Sequence, residues 1–144
     1  MSLSISLLGS FQVILDHQPA TFATDAARAL LAFLAVEADR AHRREALADL
    51  LWPDRPDQKA HSNLSQTLAR LRRAIGDYQA QPPLLLITSK TIQFQAASAD
   101  LDVVRFQTLL AAVANHSHSD PTNCPVCLER LQQAADLYRG PFLQ

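Results

Sequence analysis

The chain has 144 residues, of which 48% are hydrophobic and 19% are charged, and its formal net charge is -1. This composition is typical of a globular protein and excludes a disordered one, and the length suffices for one medium domain or for a small domain and part of another. No apolar run approaches the roughly 20 residues of a membrane span, and the N-terminus lacks the basic start of a signal peptide. We therefore expect a cytoplasmic protein that has no membrane partner.

The basic residues are concentrated in one part of the chain. Between Arg40 and Arg73 there are eight basic and four acidic residues, a local charge of +4, whereas the remainder carries -5. The basic residues of this segment are Arg40, Arg43, Arg44, Arg55, Lys59, Arg70, Arg72 and Arg73. A protein that binds nucleic acid at specific sites needs a basic patch on an otherwise acidic surface. The patch binds phosphates, while the rest of the surface does not bind nucleic acid non-specifically.

A small sheet is predicted at the N-terminus. Residues 3–8 and 11–15 are short apolar runs with β-branched residues, separated by a glycine and a serine, which is typical of a hairpin. Residues 16–19 (DHQP) are a second turn signal. We expect residues 21–23 to add a short third strand.

Two helices are expected next. Thr24 is a suitable N-cap for a helix over residues 25–38, and a second helix fits residues 43–52 and ends at Pro53. The residues expected to face inward are Ala27, Leu30, Leu31 and Leu34 in the first helix and Leu47, Leu50 and Leu51 in the second. The loop PDRP follows.

The third helix carries two stripes at helical spacing. It is expected over residues 57–76, with Asp57 as its cap and Gly76 as its break. The apolar stripe consists of Ala60, Leu64, Leu68, Leu71 and Ile75, and the polar stripe consists of Lys59, Asn63, Gln66, Arg70 and Arg73. At about 100° per residue the two stripes lie well apart, so one face can be buried while the other reads base edges and phosphates. The alternative is an ordinary amphipathic helix with a solvated polar face.

Two strand-like runs come after the third helix. They are residues 84–88 and 91–95, and Lys90 lies near the tip of the hairpin that they predict. A small sheet, three helices and a hairpin in this order describe a winged helix, in which the hairpin is the wing. Lys90 would then approach the minor groove or the adjacent phosphates.

The last part of the chain is expected to be helical. Helices are predicted over residues 101–116 and 127–138, joined by a polar loop. The expected inward residues are Val103, Phe106, Leu110 and Val113, then Leu128, Leu131, Ala135 and Tyr138. Two helices alone cannot bury both of their faces, so we expect the chain to be the N-terminal piece of a longer protein.

Four residues near the end could bind a metal. His116, His118, Cys124 and Cys127 form the pattern HxHx5CxxC, and such a set can hold a structural Zn²⁺ that staples the two helices. Two other interpretations stay open. The cysteines can be small hydrophobes beside solvated histidines, or they can be a redox pair, since a CxxC at a helix N-terminus favours the thiolate.

No catalytic constellation is present in the sequence. There are only three glycines and no phosphate-binding glycine-rich loop, and the GxSxG and HExxH motifs are absent. Asp100 and Asp102 are expected to be helix-start residues. We do not expect an enzyme.

Several segments, taken in order, resemble the SARP/AfsR-type bacterial transcriptional activators. They are LLGSFQV, ARALLAFLAV, RREALADLLWPDRP, NLSQTLARLRRAIG, TSKTIQF, LDVVRFQTLL and LQQAADLYRGPFL. The resemblance covers essentially the whole chain. It implies an α+β, mainly α fold, in which residues 1–97 form an OmpR-type winged helix-turn-helix DNA-binding domain with a small N-terminal β-sheet and a C-terminal β-hairpin wing. Residues 98–144 would be the first helices, a TPR-like αα-hairpin, of a truncated bacterial transcriptional activator domain.

The function implied by this resemblance is sequence-specific DNA binding by a transcriptional activator. Residues 57–75 would be the recognition helix in the major groove, and the wing, residues 84–95, would lie at the minor groove. The candidate DNA contacts are Lys59, Ser62, Asn63, Gln66, Arg70, Arg72, Arg73 and Lys90. The alternative is a helical protein-interaction module, with or without a zinc staple, that does not bind DNA directly.

The candidate DNA contacts divide into two roles, and further partners are implied. Asn63, Gln66 and Arg70 are the expected base readers, whereas Arg72 and Arg73 are the expected phosphate anchors. The PDRP loop corresponds to the segment that touches RNA polymerase in OmpR-type regulators. The partners expected are double-stranded DNA, RNA polymerase and the C-terminal domains of a longer chain, and DNA binding itself requires no cofactor.

Overall fold

The structure, a computed structural model, describes residues 2–115 and 124–142. The chain divides into two compact units, the first made of residues 1–3 and 14–99 and the second made of residues 4–13 and 100–144. None of the helices in the described ranges combines the length and hydropathy that a membrane span requires.

The chain contains both α-helices and β-strands. They are β1 (Leu3–Ser6), β2 (Gln12–Leu15), β3 (Gln18–Pro19), α1 (Asp25–Val36), β4 (His42–Arg43), α2 (Arg44–Leu51), α3 (Asp57–Ala74), β5 (Leu85–Ile87), β6 (Thr91–Phe94), β7 (Asp100–Leu101), α4 (Asp102–Asn115) and α5 (Pro125–Leu137). Short 3₁₀ turns lie at Asp77–Gln79 and Ala96–Ser98. Three helices followed by the β5–β6 hairpin confirm the winged helix predicted from the sequence.

The N-terminal strands differ from the prediction in one place. β1 and β2 are hydrogen-bonded neighbours, as expected, but the third strand is β3 and not residues 21–23. Asp16 and His17 both have positive φ, 50° and 68°, as in the two-residue turns that join antiparallel strands. The chain therefore reverses direction directly after β2. β3 therefore pairs antiparallel to β2 immediately after the turn, with Leu15 opposite Gln18.

The core of the first unit lies where α3 packs against α1 and α2. All of the predicted apolar stripe of α3 is buried, and so is Thr67 on the same face. Thr24 caps α1 as predicted, because its hydroxyl accepts a hydrogen bond from the backbone N–H of Ala27 at 3.2 Å. The prediction that Asp57 caps α3 is wrong: Pro56 is the N-cap, and Asp57 is the first helical residue, where its charge favours the positive end of the helix dipole.

The short helix α2 exposes a leucine that we expected from the sequence to be buried. Leu47 and Ala48 are buried and Leu51 is half-buried, but 53% of Leu50 is exposed. Successive residues turn by about 100° around a helix, so a face centred between Leu47, Ala48 and Leu51 leaves Leu50 well to one side. The prediction for Leu50 is therefore wrong.

The wing belongs to a three-stranded antiparallel sheet with the order β4-β6-β5. The strand β4 was not predicted. Its His42 lies opposite Ile92, its Nε2–H donates to the carbonyl of Glu37 at 2.7 Å, and its ring packs edge-on against Phe33. Gln93 on β6 donates to the carbonyl of Ala38 at 3.0 Å. The sheet is thus attached to the end of α1.

A buried carboxylate joins the end of α3 to the start of the wing. Gly76 has a φ of 70°, the left-handed conformation that ends a helix, and the next residue, Asp77, is buried. Its Oδ1 accepts hydrogen bonds from the backbone N–H groups of Leu84 at 2.7 Å and Leu85 at 3.1 Å. Its Oδ2 accepts one from Nε of Arg72 at 2.8 Å. These bonds fix the spacing between α3 and β5.

The second unit contains α4, α5 and a parallel pairing of β1 with β7, in which Ile5 lies opposite Leu101. The strand β7 was not predicted. Asp102, the first residue of α4, is buried and accepts the backbone N–H groups of Leu7 at 2.7 Å and Leu8 at 3.0 Å. This carboxylate attaches the start of α4 to the chain that follows β1.

The inward face of α5 differs from the prediction. α5 begins at Pro125, two residues before the predicted start, and its buried residues are Cys127 and Ala134. The predicted stripe is partly on the surface, with Leu128, Ala135 and Tyr138 exposed and Leu131 half-buried. On α4 the predicted Val113 is buried, Val103 and Phe106 are half-buried and Leu110 is exposed. Cys127, Leu131 and Ala134 follow the i, i+4, i+7 spacing, so the inward stripe is offset by one residue.

We predict that Asp77→Ala lowers the free energy of unfolding of the first unit by about 3 kcal/mol. The substitution leaves two buried N–H groups without their acceptor and removes the partner of Arg72. Urea denaturation followed by the fluorescence of Trp52, the only tryptophan, measures this change. Asp54→Ala, which removes an exposed carboxylate, is the control and should change the free energy by less than about 0.5 kcal/mol. Equal stability of the two variants would contradict the prediction.

Candidate nucleic-acid interface

The surface of α3 opposite its buried stripe is polar and cationic. Lys59, Ser62, Gln66, Arg70 and Arg73 are exposed. Because the apolar stripe fixes the helix to α1 and α2, these side chains lie on a rigid element and not on a loop. A rigid helix with Arg, Lys and Gln on its surface has the donors and acceptors that pair with phosphates and base edges.

The first flank of this surface faces the start of α1 and the end of α2. Asn63, Gln66 and Arg70, the expected base readers, line one cleft of about 220 Å³. Its other lining residues are Thr24, Ala26, Trp52 and Thr67. The structure therefore brings together three residues that the sequence had placed on one stripe, with Asn63 half-buried beside them.

The second flank faces the wing and forms a cleft of about 390 Å³, which we call the wing cleft. Its lining residues are Arg43, Arg44, Glu45, His61, Ser65, Ser89 and Lys90. Of these residues only Lys90 had been selected from the sequence. Arg43 and Arg44 had counted only toward the local positive charge, and His61 lies off the polar stripe. The pairing of β4 with β6, which brings Arg43 opposite Thr91, was the missing information.

The tip of the wing is held in one conformation by Thr88. Its hydroxyl accepts the backbone N–H groups of Thr91 at 2.9 Å and Lys90 at 3.2 Å, and it lies 2.8 Å from the hydroxyl of Thr91. Arg44 connects the tip to α2: its backbone N–H donates to the carbonyl of Lys90 at 2.9 Å, and its guanidinium donates to that of Thr88 at 3.3 Å. Lys90 is therefore presented at a fixed position relative to α2.

Arg72, an expected phosphate anchor, interacts with its own chain. Its Nε pairs with Asp77 at 2.8 Å, and its guanidinium carbon lies 4.0 Å from the centre of the Tyr78 ring. With 31% of its side chain exposed, Arg72 still reaches the surface. Its two partners lie beyond the end of α3, so no helical stripe could have indicated them.

The four residues of the zinc prediction are only partly within the described part of the chain. His116 and His118 lie outside it. Cys124 is half-buried and is the N-cap residue of α5, and Cys127 is buried. A hydrogen bond from the backbone N–H of Cys127 lowers the pKa of the Cys124 thiol, whereas burial raises the pKa of Cys127. Residues 2–115 and 124–142 contain no group of three or more His, Cys, Asp or Glu side chains that could hold a metal, so zinc stays a prediction.

Comparison with known proteins agrees with the winged-helix geometry. The family described as "Transcriptional regulatory protein, C terminal" matches residues 19–92. The transcriptional regulatory protein EmbR of Mycobacterium bovis and that of Mycobacterium tuberculosis are each 30% identical to this chain over 84 residues, which is 58% of this chain and 22% of theirs. The solved structure of M. tuberculosis EmbR in complex with a low-affinity phosphopeptide matches with a TM-score of 0.74 and 25% identity, over 98% of this chain and 37% of that one. The sequence match thus covers less than a quarter of the length of these curated relatives, and the structural match covers 37% of the EmbR chain.

We predict that Thr88→Val accelerates hydrogen exchange at the amides of Lys90 and Thr91. The substitution keeps the β-branched shape but removes the hydroxyl that accepts both N–H groups. Exchange measured by NMR on the whole chain tests this, and Ser89→Ala in the same turn is the control. Unchanged exchange at Lys90 and Thr91 in Thr88→Val would show that the hydroxyl does not fix the tip.

The zinc hypothesis predicts about one equivalent of zinc in the protein purified without chelators, whereas the two other interpretations of the cysteines predict none. Cys124→Ser and Cys127→Ser should each reduce this content, because both remove a thiolate ligand. His61→Ala, which changes a histidine of the first unit, should leave it unchanged. Elemental analysis is the measurement, and less than about a tenth of an equivalent in the unaltered protein would end the zinc hypothesis.

Proposed function

Since the chain belongs to the family of transcriptional regulatory proteins whose winged-helix domain matches residues 19–92, we propose that it is a sequence-specific DNA-binding activator of transcription. The observation that carries this proposal is the position of the wing beside α3. His61 and Ser65 of α3 and the tip at Lys90 line the same cleft, so a DNA duplex placed against α3 can contact the wing as well.

In the proposed complex α3 enters the major groove. The exposed residues farthest from its buried stripe are Ser62, Gln66 and Arg73, which follow helical spacing. Gln66 also lines the cleft that contains Asn63 and Arg70, so it belongs to both groups. Glutamine and asparagine pair with adenine through two hydrogen bonds, and arginine pairs in the same way with guanine. We assign base reading to Gln66, Asn63 and Arg70.

Phosphate contacts lie toward the two ends of α3 in the proposed complex. Arg73 and Lys59 are exposed at opposite ends of α3, where they reach the two edges of the groove. Arg72 also reaches the surface, next to Arg73. Because it pairs with Asp77, however, its main role in the proposal is to hold the wing in position. The wing, with Lys90 at its tip, approaches the neighbouring minor groove.

The loop between α2 and α3 is the proposed contact for RNA polymerase. Pro53, Asp54, Arg55 and Pro56 are all exposed, and Leu50 on α2 adds an exposed apolar side chain close to them in sequence. Two prolines stiffen this loop, which lowers the entropy lost when a partner binds it. The proposed cellular location is the cytoplasm, where DNA and polymerase are both accessible in bacteria.

The second unit is proposed to be the beginning of a TPR-like activator domain. α4 and α5 pack against each other, and Arg130 on α5 donates to the carbonyl of Ala112 on α4 at 3.4 Å. Exposed apolar side chains remain on these helices, among them Val104, Leu110, Val126, Leu128 and Tyr138. Further helices of a longer chain would cover such faces, since stacked helical pairs bury what one pair leaves exposed.

We predict that Gln66→Ala lowers the discrimination between the protein's own upstream DNA and a random-sequence duplex by about 1–3 kcal/mol. Arg70→Ala should do the same if it reads a guanine. Affinities for both duplexes at one salt concentration, after footprinting of the upstream region, give this quantity.

Gln107→Ala, a change on the exposed surface of α4, is the matched control and should alter neither affinity. If Gln66→Ala and Arg70→Ala both keep the discrimination of the unaltered protein, α3 does not read the bases. If the unaltered protein itself shows no salt-dependent DNA binding, the alternative of a helical protein-interaction module replaces the proposal.

A further inference from the structure

We propose that Cys124 and Cys127 form a reversible intramolecular disulfide, which makes the start of α5 a redox-sensitive site of the second unit. The bond forms by exchange with a low-molecular-weight disulfide, and low-molecular-weight thiols break it. The inference goes beyond the proposed function and does not depend on it, because neither cysteine belongs to the surface proposed to contact DNA. It selects one of the three interpretations of the cysteines that the sequence left open.

The two cysteines occupy positions that helix geometry brings close together. Cys124 is the N-cap residue of α5, and Cys127 lies three residues later in the first turn. Two residues at this spacing in a helix have Cα atoms about 5 Å apart. A disulfide needs Cα atoms roughly 4.4–6.8 Å apart, so the backbone of this turn already satisfies the main geometric requirement.

The two sulfurs interact in the reduced protein. The thiol of Cys127 donates a hydrogen bond to the sulfur of Cys124. The carbonyl of Cys124 accepts the backbone N–H of Leu128 at 2.9 Å, and this bond closes the turn that holds both cysteines. One sulfur therefore already faces the other within a formed helical turn, and the disulfide requires little further ordering of the chain.

The two thiols differ in their access to solvent. Cys124 is half-buried at the start of α5, whereas Cys127 is fully buried on the face that packs against α4. A reagent from solution therefore reaches the sulfur of Cys124 first. The positive end of the dipole of α5 favours a negative sulfur at this place. Cys124 is thus the attacking residue and Cys127 the internal partner that completes the bond.

The exchange consists of two balanced steps. The deprotonated sulfur of Cys124 attacks one sulfur of the small disulfide, which forms a mixed disulfide and releases one small thiolate. The deprotonated sulfur of Cys127 then attacks the sulfur of Cys124, which forms the intramolecular bond and releases the second small thiolate. The protons of the two cysteines pass to these thiolates. The protein loses two electrons, and the small disulfide gains them and becomes two thiols.

A disulfide at this position suits regulation better than structural support. The loop from Cys124 to Cys127 is short, and short loops gain the least stability from a cross-link. In a reducing compartment such as the proposed cytoplasm, protein disulfides are usually transient. Cys127 belongs to the inward stripe of α5, so drawing its sulfur toward Cys124 changes how the first turn of α5 packs against α4.

The first test equilibrates the whole chain, with a chelator present, in mixtures of oxidised and reduced glutathione and measures its mass. The unaltered protein should lose both thiols in one transition and become about 2 Da lighter than its reduced form. Cys127→Ala should stop at a mixed disulfide between Cys124 and glutathione, because the sulfur that completes the exchange is missing. Cys124→Ala is the matched variant and should keep its thiol, because Cys127 is buried.

Several results of this test would overturn the proposal. They are a mixed disulfide as the final product of the unaltered protein, a disulfide between two chains, and equal addition of glutathione to Cys124→Ala and Cys127→Ala. One equivalent of zinc in the unaltered protein purified without chelators, lost in both variants, would make the cysteines metal ligands and would overturn the proposal as well.

The second test needs no variant, so it does not depend on how Cys127→Ala folds. Hydrogen exchange at the amide of Leu128 should slow by about tenfold on oxidation, because the disulfide restrains the turn that this amide closes. The amide of Trp52 is the control, since it closes the last turn of α2 by donating to the carbonyl of Ala48 at 2.8 Å and should exchange equally in both forms. Equal exchange at Leu128 in the two forms would show that the start of α5 does not respond to oxidation.

Discussion

The carboxylate of Asp77 is the interaction on which the placement of the wing depends. The chain that follows a left-handed glycine at the end of a helix can run in many directions. A specific hydrogen bond is needed to fix one of them. Asp77 fixes this direction, because its carboxylate accepts hydrogen bonds from the backbone N–H groups of Leu84 and Leu85 and from the guanidinium of Arg72. The second unit contains the same arrangement, in which Asp102 accepts the N–H groups of Leu7 and Leu8. In each unit a buried aspartate satisfies two consecutive backbone donors.

The position of the wing also affects the surface formed by the neighbouring residues of α2. Because β6 pairs with β4, the residues that begin α2 lie beside the wing, and Arg44 bonds two carbonyls of its tip. The cationic character of the wing cleft is therefore a product of two segments that are distant in sequence, one containing Arg43 and Arg44 and the other Lys90. A mutation at Asp77 would act on DNA binding through position and not through loss of a contact, since the carboxylate itself is buried.

The sequence predicted the features that depend on local periodicity, and it did not predict those that depend on tertiary partners. The apolar stripe of α3 is fully buried, because a 3.6-residue repeat over five turns is unambiguous. β4 and β7 have two residues each, too few for any alternation to show. On α5 the buried Cys127 replaced the expected Leu128, because the faces of a short helix differ little in hydrophobicity and the packing against α4 decides between them.

The position of the wing also constrains which line of α3 can face the base pairs. In the proposed complex a duplex that contacts Lys90 approaches α3 from the flank of His61 and Ser65, so the line through Ser62 and Gln66 comes nearer the base pairs than the flank of Asn63 does. Asn63 lies on the opposite flank beside Trp52, so the base reading that we propose for it requires α3 to tilt in the groove. Gln66 belongs both to the outer line of α3 and to the cleft that contains Asn63, so in the proposed complex it faces the groove at either tilt. In the proposed complex the position of the wing therefore determines the orientation of α3 on DNA, and the hydrogen bonds of Asp77 determine the position of the wing.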